Sequence, residues 1–469
     1  MGKTALVHVK VNTGMNRIGI SSKEYFVEVV KELSGEEYYG RSNYKDGAVR
    51  AADYILGEIQ KVGVETVPQD VILKAWEGKQ RPQLHALQPE FKSLITPCGE
   101  GRWTGAPEWK LSYLQHFTHP LNAQRGAVEL VVDGDTLNHT VQYTLKEFSP
   151  TFKGDLDVVY LDNKYLNPDD FCKYVNSGAF KDKAVVLDWD RFRQTMYTFP
   201  GIEVYKTYFM PMENVGALIC KSEELLPYFK SRNHFNTPMP VFMVDSTFPA
   251  DAKKVHIDVE AEMVENDAHN IIAYIPGTSG SEKHFILACH YDHLGVCGDE
   301  IFYGANDNSS GSAMLLNLMR HFKQNPPEYS VMFIFFDSEE NNLLGSFFYA
   351  DNPLLPLEDI AYFVELDMIG DNGNTVYCQI SDAGERGLQY LNELNSAMPV
   401  PFAELDRHPV DDYADHYPFG IKGVPAIYME MNGDTNKNYH SPRDTFENFF
   451  SDNYDRIFNL VKGFVEGYK

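Results

Sequence analysis

Residues 333–346 read FIFFDSEENNLLGS, an apolar run that ends abruptly in four polar residues. The run predicts a buried β-strand, and two adjacent acidic residues, Glu339 and Glu340, follow its C-terminal end. An open α/β sheet binds its ligands outside the carboxyl ends of its strands. This stretch therefore indicates an α/β fold with a functional site at that edge of the sheet.

Strands alternate with helical stretches from about residue 267 onward. The strands include NIIAYIPG, HFILACHYDH and IAYFVELDMIG, and the helices include SGSAMLLNLMRHFKQ and a closing helix near 447–465. This alternation predicts a mostly parallel, doubly wound sheet with helices on both faces.

The sequence divides into three parts by its texture. Residues 20–75 and 255–469 form the predicted α/β unit, which opens with an amphipathic helix capped by Ser21. Residues 128–250 contain short apolar strands separated by turns, which predict a β-rich inserted domain. Residues 76–127 are rich in Pro, Gly and Trp, and we expect irregular structure there.

Composition excludes several classes of function. The chain has 469 residues, and its formal net charge of −26 argues against nucleic acid or an anionic membrane as the main partner. No run of 18 consecutive apolar residues occurs, so we expect no membrane span. The sequence also lacks an HExxH, a GxSxG, a P-loop and a GxGxxG after a strand.

Polar side chains that can bind metals follow the predicted strands. The set contains His290, Asp307, one of the two glutamates Glu339 and Glu340, Asp367 and His440. Carboxylate oxygens and imidazole nitrogens suit zinc, cobalt or manganese. Five side chains are too many for one tetrahedral ion with an open position, but they fit two ions if one carboxylate bridges them.

The adjacent glutamates point in different directions, so one can bind a metal while the other takes a proton from water. Asp292 lies two residues after His290 in an extended segment, which places both side chains on one face. A metal-binding histidine usually donates its second ring N–H to a carboxylate or carbonyl, so Asp292 is the expected partner of His290. His293 does not fit the pattern and reads as structural or solvent-facing.

Five segments occur in the order ACHYDHLG, GANDNSSGSA, FFDSEENNLLGS, ELDMIG and NYHSPRDT. Together they resemble the co-catalytic zinc aminopeptidases of peptidase family M28. The resemblance implies two zinc ions, or other divalent ions, in a catalytic domain, with His290 and Asp367 on one ion, Glu340 and His440 on the other, and Asp307 bridging them. It also implies that the β-rich block is a protease-associated insert.

The same resemblance implies a metal-dependent exopeptidase, an aminopeptidase that hydrolyses the N-terminal bond of peptides with a free N-terminus. Glu339 is then the general base that activates a water between the zinc ions, and Asp292 is the partner of His290. Tyr413 or His416, in VDDYADHYPFG, is a candidate to contact the substrate and hold its oxyanion, and the alternative is that this loop only shapes the pocket.

Three alternative functions remain open at this point. They are a single-zinc glutaminyl-peptide cyclase, a carboxypeptidase or dipeptidase of the same fold, and a catalytically silent, receptor-like binding module. Relatives with such inserts are usually exported, so we expect a periplasmic, cell-surface or secreted protein whose signal has been removed, with a cytoplasmic location as the alternative.

Overall fold

The computed structural model describes residues 21–80, 96–97, 110, 112–124, 126–175, 177–196, 208–230 and 233–469. Its α-helices are α1 Lys23–Leu33, α2 Gly47–Val62, α3 Gln69–Ala75, α4 Pro168–Val175, α5 Trp189–Met196, α6 Ser309–Gln324, α7 Leu344–Asp351, α8 Glu385–Ala397, α9 Tyr417–Gly420 and α10 Tyr454–Gly467. Among these described helices, none is long and apolar enough to cross a membrane.

The strands fall into a first and a second half of the chain. The first half contains β1 Thr96–Pro97, β2 Leu114–Ala123, β3 Val128–Val132, β4 Asp135–Thr136, β5 Tyr143–Leu145, β6 Phe152–Tyr160, β7 Lys183–Asp188, β8 Ala217–Lys221 and β9 Val241–Val244. The second half contains β10 Lys254–Val259, β11 Glu262–Ile275, β12 His284–His290, β13 Gly295–Cys297, β14 Glu300–Phe302, β15 Ser330–Phe336, β16 Ile360–Leu366, β17 Thr375–Ile380, β18 Glu404–Pro409 and β19 Ala426–Asn432.

The described strands of the main sheet run in the order β1-β2-β11-β15-β12-β16-β19-β17-β18. The central strands β15, β12, β16 and β19 are parallel neighbours, which confirms the predicted α/β fold. The sheet is mixed rather than mostly parallel, because β2, β11 and β17 form antiparallel pairs. The connection between β16 and β17, residues 367–374, contains no helix and is too short for a parallel crossover.

Helices cover both faces of this sheet. In β15, Val331, Phe333 and Phe335 pack into one core with α1, α2, α6, α8 and α10. The alternate residues of the same strand, such as Ile334 and Phe336, pack into a second core with α3, α7 and α9. Both faces of β15 are buried, which explains why its sequence is a continuous apolar run.

The helix α1 begins one residue later than the sequence analysis predicts. Ser22 is its N-cap, because the Ser22 hydroxyl accepts a hydrogen bond from the Tyr25 N–H at 3.1 Å, so the prediction of Ser21 is wrong. The helix α2 ends where Gly63 adopts a left-handed conformation (φ 72°), a backbone geometry that glycine tolerates without strain.

A second sheet lies within residues 128–259, with strand order β4-β3-β10-β6-β7-β8-β9-β5. Its strands β6 to β9 are parallel, and α4 and α5 pack against it. The strand β10 pairs with both β3 and β6. Residues 255–259, which the sequence analysis assigns to the α/β unit, are therefore part of the second sheet. We refer to residues 128–259 as the inserted unit.

The expectation of irregular structure for residues 76–127 is wrong for the strand β2. This strand pairs with β11 from Leu114 to Ala123, although its histidines and Pro120 obscure the alternating pattern. Much of the remaining prediction falls on residues 81–95 and 98–109, which lie outside the described residues.

Two chain segments connect the main sheet to the inserted unit side by side. The pair β2–β11 reaches Ala123 and Glu262, and the pair β3–β10 begins at Val128 and Val259. The inserted unit therefore extends from one end of a two-stranded antiparallel ribbon.

Candidate metal centre

The candidate metal centre lies at the carboxyl ends of the four parallel strands. His290 is the last residue of β12, residues 337–340 follow β15, and Asp367 follows β16. Asp307 precedes α6, and the loop after β19 leads to His440. Because these strands are neighbours in the sheet, their ends bring the predicted side chains to one edge.

Two histidines face opposite oxygens of Asp307. His290 Nε2 lies 3.3 Å from Asp307 Oδ1 and 3.4 Å from Asp367 Oδ1. His440 Nε2 lies 3.2 Å from Asp307 Oδ2 and 3.3 Å from Glu340 Oε2. The structure thus brings the five predicted ligands together, with Asp307 between the two histidines.

A third histidine, His293, also belongs to this cluster. Its Nδ1 lies 2.8 Å from Glu340 Oε1, and its ligand atom groups with those of Asp307 and Glu340 within 4.8 Å. The side chain is fully buried, so the solvent-facing interpretation is wrong. His293 fixes one oxygen of Glu340 and leaves the other on the side of His440. Its place three residues after His290 was the only signal for this in the sequence.

Glu339 lies beside the cluster rather than within it. Its Oε2 is 3.9 Å from His290 Nε2, and its backbone N–H donates to Asp292 Oδ1 at 3.1 Å. The Asp292 carboxylate is 3.7 Å from His290 Nδ1, whereas the carbonyl oxygen of Asp292 is 3.1 Å from that nitrogen. Asp292 thus meets His290 more closely through its carbonyl than through the predicted carboxylate, which holds the backbone of Glu339.

The crowding of buried carboxylates dominates the electrostatics of the site. Burial raises the pKa of Glu339 well above its usual range, and Glu340 adds to the effect. Burial likewise raises the pKa of Asp367. Burial opposes the charged ring of His440, but the Glu340 and Asp307 carboxylates outweigh it and raise the pKa of His440 to about 10. So many buried acids call for positive charge among them.

The donor set fits divalent metal ions. It offers imidazole nitrogens and carboxylate oxygens, the ligands that zinc prefers in sites without cysteine. Asp367 Oδ1 is buried without a hydrogen-bond partner, as expected of an atom reserved for a cation. The Nδ1 atoms of His290 and His440 lie 3.1 Å and 2.7 Å from backbone carbonyls, which leaves each Nε2 to bind metal.

The two predicted substrate-binding residues differ in their exposure. Tyr413 is 44% exposed, and its ring packs against Tyr428, whose hydroxyl lies 3.3 Å from Asp367 Oδ2. His416 is fully buried, and burial lowers the pKa of His416 to about 3, so its ring is neutral. Tyr413 is open to solvent, whereas His416 is enclosed. Their roles toward a substrate stay predictions.

A buried arginine holds the loops behind the centre. The Arg41 guanidinium is fully buried and donates, at 2.7–3.0 Å, to the carbonyls of Leu33, Tyr291, Tyr303, Gly304 and Asp307. Burial lowers the pKa of Arg41 to about 10, so it stays charged at neutral pH. The preceding residue, Gly40, has φ 63°, and a Cβ there would collide with the Phe302 carbonyl. Arg41 could not be found from the sequence, because a lone arginine in a loop carries no periodic signal.

We expect Arg41→Met to destabilise the protein by about 3–5 kcal/mol, because five carbonyls, four of them in buried hydrogen bonds, lose a charged donor at once. Thermal and urea unfolding would measure this change. Arg50→Met is the matched control, since the exposed Arg50 side chain donates to one carbonyl, that of Lys45, and should change stability by less than about 0.5 kcal/mol. Equal stability of the two variants would contradict the role of Arg41.

The family model described as Peptidase family M28 matches residues 270–465. The chain is 30% identical over 193 residues to a vacuolar membrane protease of Candida glabrata. The alignment covers 40% of this chain and 19% of that protein. The chain is 28% identical over 189 residues to aminopeptidase YwaD of Bacillus subtilis, which covers 38% of this chain and 40% of that protein. The chain thus spans less than half the length of each of these curated relatives.

Solved structures share the fold over nearly the whole chain. The structure of a zinc aminopeptidase from Bacillus subtilis aligns with a TM-score of 0.61 and 16% identity, and the alignment covers 96% of this chain and 95% of that one. At that identity the likeness concerns the fold alone. The family match, in contrast, spans every strand end that contributes to the metal centre. Residues 270–465 are therefore similar to peptidase family M28.

Proposed function

We propose that this protein is a zinc-dependent aminopeptidase that uses two metal ions to hydrolyse the first bond of peptides with a free N-terminus. The observation that carries the proposal is Asp307, whose two oxygens face His290 and His440 at 3.3 and 3.2 Å. We name the side with Asp367 the His290 position and the side with Glu340 the His440 position. One shared carboxylate between two such groups is the arrangement of two-metal hydrolases.

Bound zinc and Glu339 would have different roles in hydrolysis. Bound zinc would supply Lewis acidity, which polarises the scissile carbonyl and acidifies water. Glu339 would take a proton from the attacking water and return it to the leaving amine. The Asp292 carboxylate accepts a hydrogen bond from the Glu339 N–H and holds the backbone of Glu339 in place.

The relatives support the class of reaction. The matched Candida glabrata protein is named a protease, and the Bacillus subtilis relative is named an aminopeptidase. The Bacillus subtilis structure with the same fold is described as a zinc enzyme. We therefore propose zinc-dependent peptide hydrolysis as the activity of this chain.

The test is turnover of aminoacyl-p-nitroanilides and of matched peptides with free or acetylated N-termini, with and without a chelator. We expect cleavage of free N-termini alone, loss of activity on chelation, and recovery with two equivalents of zinc. One tight zinc per chain with cyclisation of N-terminal glutamine would instead indicate a glutaminyl-peptide cyclase. Cleavage from the C-terminus would indicate a carboxypeptidase, and inertness of the zinc-loaded protein would indicate a binding module.

We further propose that residues 128–259 form a protease-associated-like insert, and that the protein acts outside the cytoplasm. The first proposal is supported by a separate sheet with its own apolar cores. Export stays a prediction, which fractionation of producing cells would test.

A further inference from the structure

A loop of the inserted unit reaches the metal centre. Residues 225–230, which we name the Tyr228 loop, lie in the connection between β8, which ends at Lys221, and β9, which begins at Val241. The carbonyl oxygen of Tyr228 accepts a buried hydrogen bond from His440 Nδ1 at 2.7 Å. The Tyr228 N–H in turn donates to the His440 carbonyl at 3.4 Å. A predicted metal ligand is thus joined to the main chain of Tyr228 by two hydrogen bonds, one from its ring and one to its backbone carbonyl.

The position of this carbonyl is fixed by the side chain of Tyr228. The ring is 3% exposed and stacks on Phe302 with 5.0 Å between the ring centroids. Its hydroxyl donates to Gln124 Oε1 at 2.8 Å, and Gln124 Nε2 donates to the Lys146 carbonyl at 2.9 Å. The Tyr228 side chain is therefore anchored to Phe302 of β14, outside the inserted unit, and through Gln124 to the segment that joins the inserted unit to the main sheet.

Aromatic rings enclose the imidazole of His440 on two sides. Tyr439 stacks on it with centroids 3.8 Å apart, and Phe229 of the Tyr228 loop meets it edge-on at 4.8 Å. The backbone of His440 has φ 51°, a conformation that a non-glycine residue adopts only when its surroundings hold it there. The loop contributes to that restraint through Phe229 and through the Tyr228 carbonyl.

The hydrogen bond also decides which nitrogen of His440 can bind metal. Donation from Nδ1 to a carbonyl keeps the proton on Nδ1 and presents the lone pair of Nε2 toward Asp307 and Glu340. In His290, Nδ1 donates the equivalent hydrogen bond to the carbonyl of Asp292, two residues along the same chain segment. The two metal positions therefore differ, since one is oriented locally and the other by the inserted unit.

We propose that Tyr228 is a positioning residue of the His440 position, and that the inserted unit thereby controls metal affinity at that position alone. This inference rests on the proposed function, because it assumes two metal positions. Loss of such a partner weakens metal binding by about 10–100-fold in other proteins. We expect a change of that size at the His440 position and none at the His290 position.

The sharpest test changes the carbonyl and keeps every side chain. Replacing Phe229 by its α-hydroxy analogue, phenyllactic acid, turns the peptide bond after Tyr228 into an ester, whose carbonyl is a weaker hydrogen-bond acceptor. Titration of the metal-free full chain with Co²⁺, followed by visible absorption and calorimetry, would resolve the two equivalents. We expect one equivalent to bind at least about tenfold more weakly and the other as in the wild type.

The matched control is the same ester placed earlier in the loop, by replacing Leu225 with leucic acid, which alters the Glu224 carbonyl. Both equivalents should then bind normally. Tyr228→Phe provides a second test, since it removes the hydroxyl anchor and retains the ring, and we expect the same selective weakening by a few-fold.

The inference is overturned if the Phe229 ester binds both equivalents like the wild type, or if both esters weaken both equivalents alike. Failure of the proposed function has a different signature, because the unmodified chain would then bind fewer than two equivalents before any variant is made.

Discussion

Glu339→Gln is expected to lower kcat by about 10²–10⁴-fold while zinc content and Tm stay near those of the wild type. Glutamine has the same shape as glutamate but cannot take a proton from water. Glu339 lies beside the ligand cluster, so its replacement should not remove a metal ligand. Steady-state kinetics with metal analysis would measure both quantities.

Glu340→Gln is the matched control on the adjacent residue. Glu340 Oε2 faces His440 and its Oε1 faces His293, so this variant should lose metal at the His440 position. A Glu339→Gln enzyme that keeps more than a tenth of the wild-type kcat, or that loses zinc as Glu340→Gln does, would remove Glu339 from the role of general base.

Asp307→Asn should have the second large effect, reducing bound zinc to at most one weakly held equivalent. Each oxygen of Asp307 faces a different histidine, and an asparagine offers one neutral oxygen and an amide nitrogen that does not bind cations. An ion present at a thousand times its Kd stabilises a protein by about 4 kcal/mol. Chelation should therefore lower the Tm of the wild type markedly and that of the variant much less.

Asp337→Asn is the control for Asp307→Asn, because it shows whether the loss of any buried carboxylate reduces zinc binding. Asp337 is also buried, but it accepts hydrogen bonds from the His269 N–H and the Tyr291 hydroxyl. Burial raises the pKa of Asp337 to about 7. This variant should keep both equivalents of zinc. Two tightly bound equivalents in Asp307→Asn would refute the bridging role.

The sequence predicted those parts of the site that follow from strand order. His290, Glu340 and Asp367 each stand at the end of an apolar run, and parallel strands bring such ends to one edge. The general fold followed from the same runs. The antiparallel edges were missed because periodicity reports burial and says nothing of the direction in which neighbouring strands pair.

The contacts that hold the site were beyond pattern analysis. Arg41 and Tyr228 act through main-chain carbonyls and through loops that are distant in the sequence. No spacing rule links position 228 to position 440, because their meeting depends on how the inserted unit stands on the main sheet. Buried polar networks of this kind depend on three-dimensional geometry, whereas amphipathic periodicity records only one face of one element.

The ribbon formed by β2–β11 and β3–β10 has an evolutionary consequence. Because entry and exit at Ala123 and Glu262 lie side by side, a foreign module could be grafted there without separating any two strands of the main sheet. Such a transplant would be tolerated as a fold. Without an equivalent of Tyr228, however, His290 of the resulting chimera would keep its carbonyl partner and His440 would lose its own.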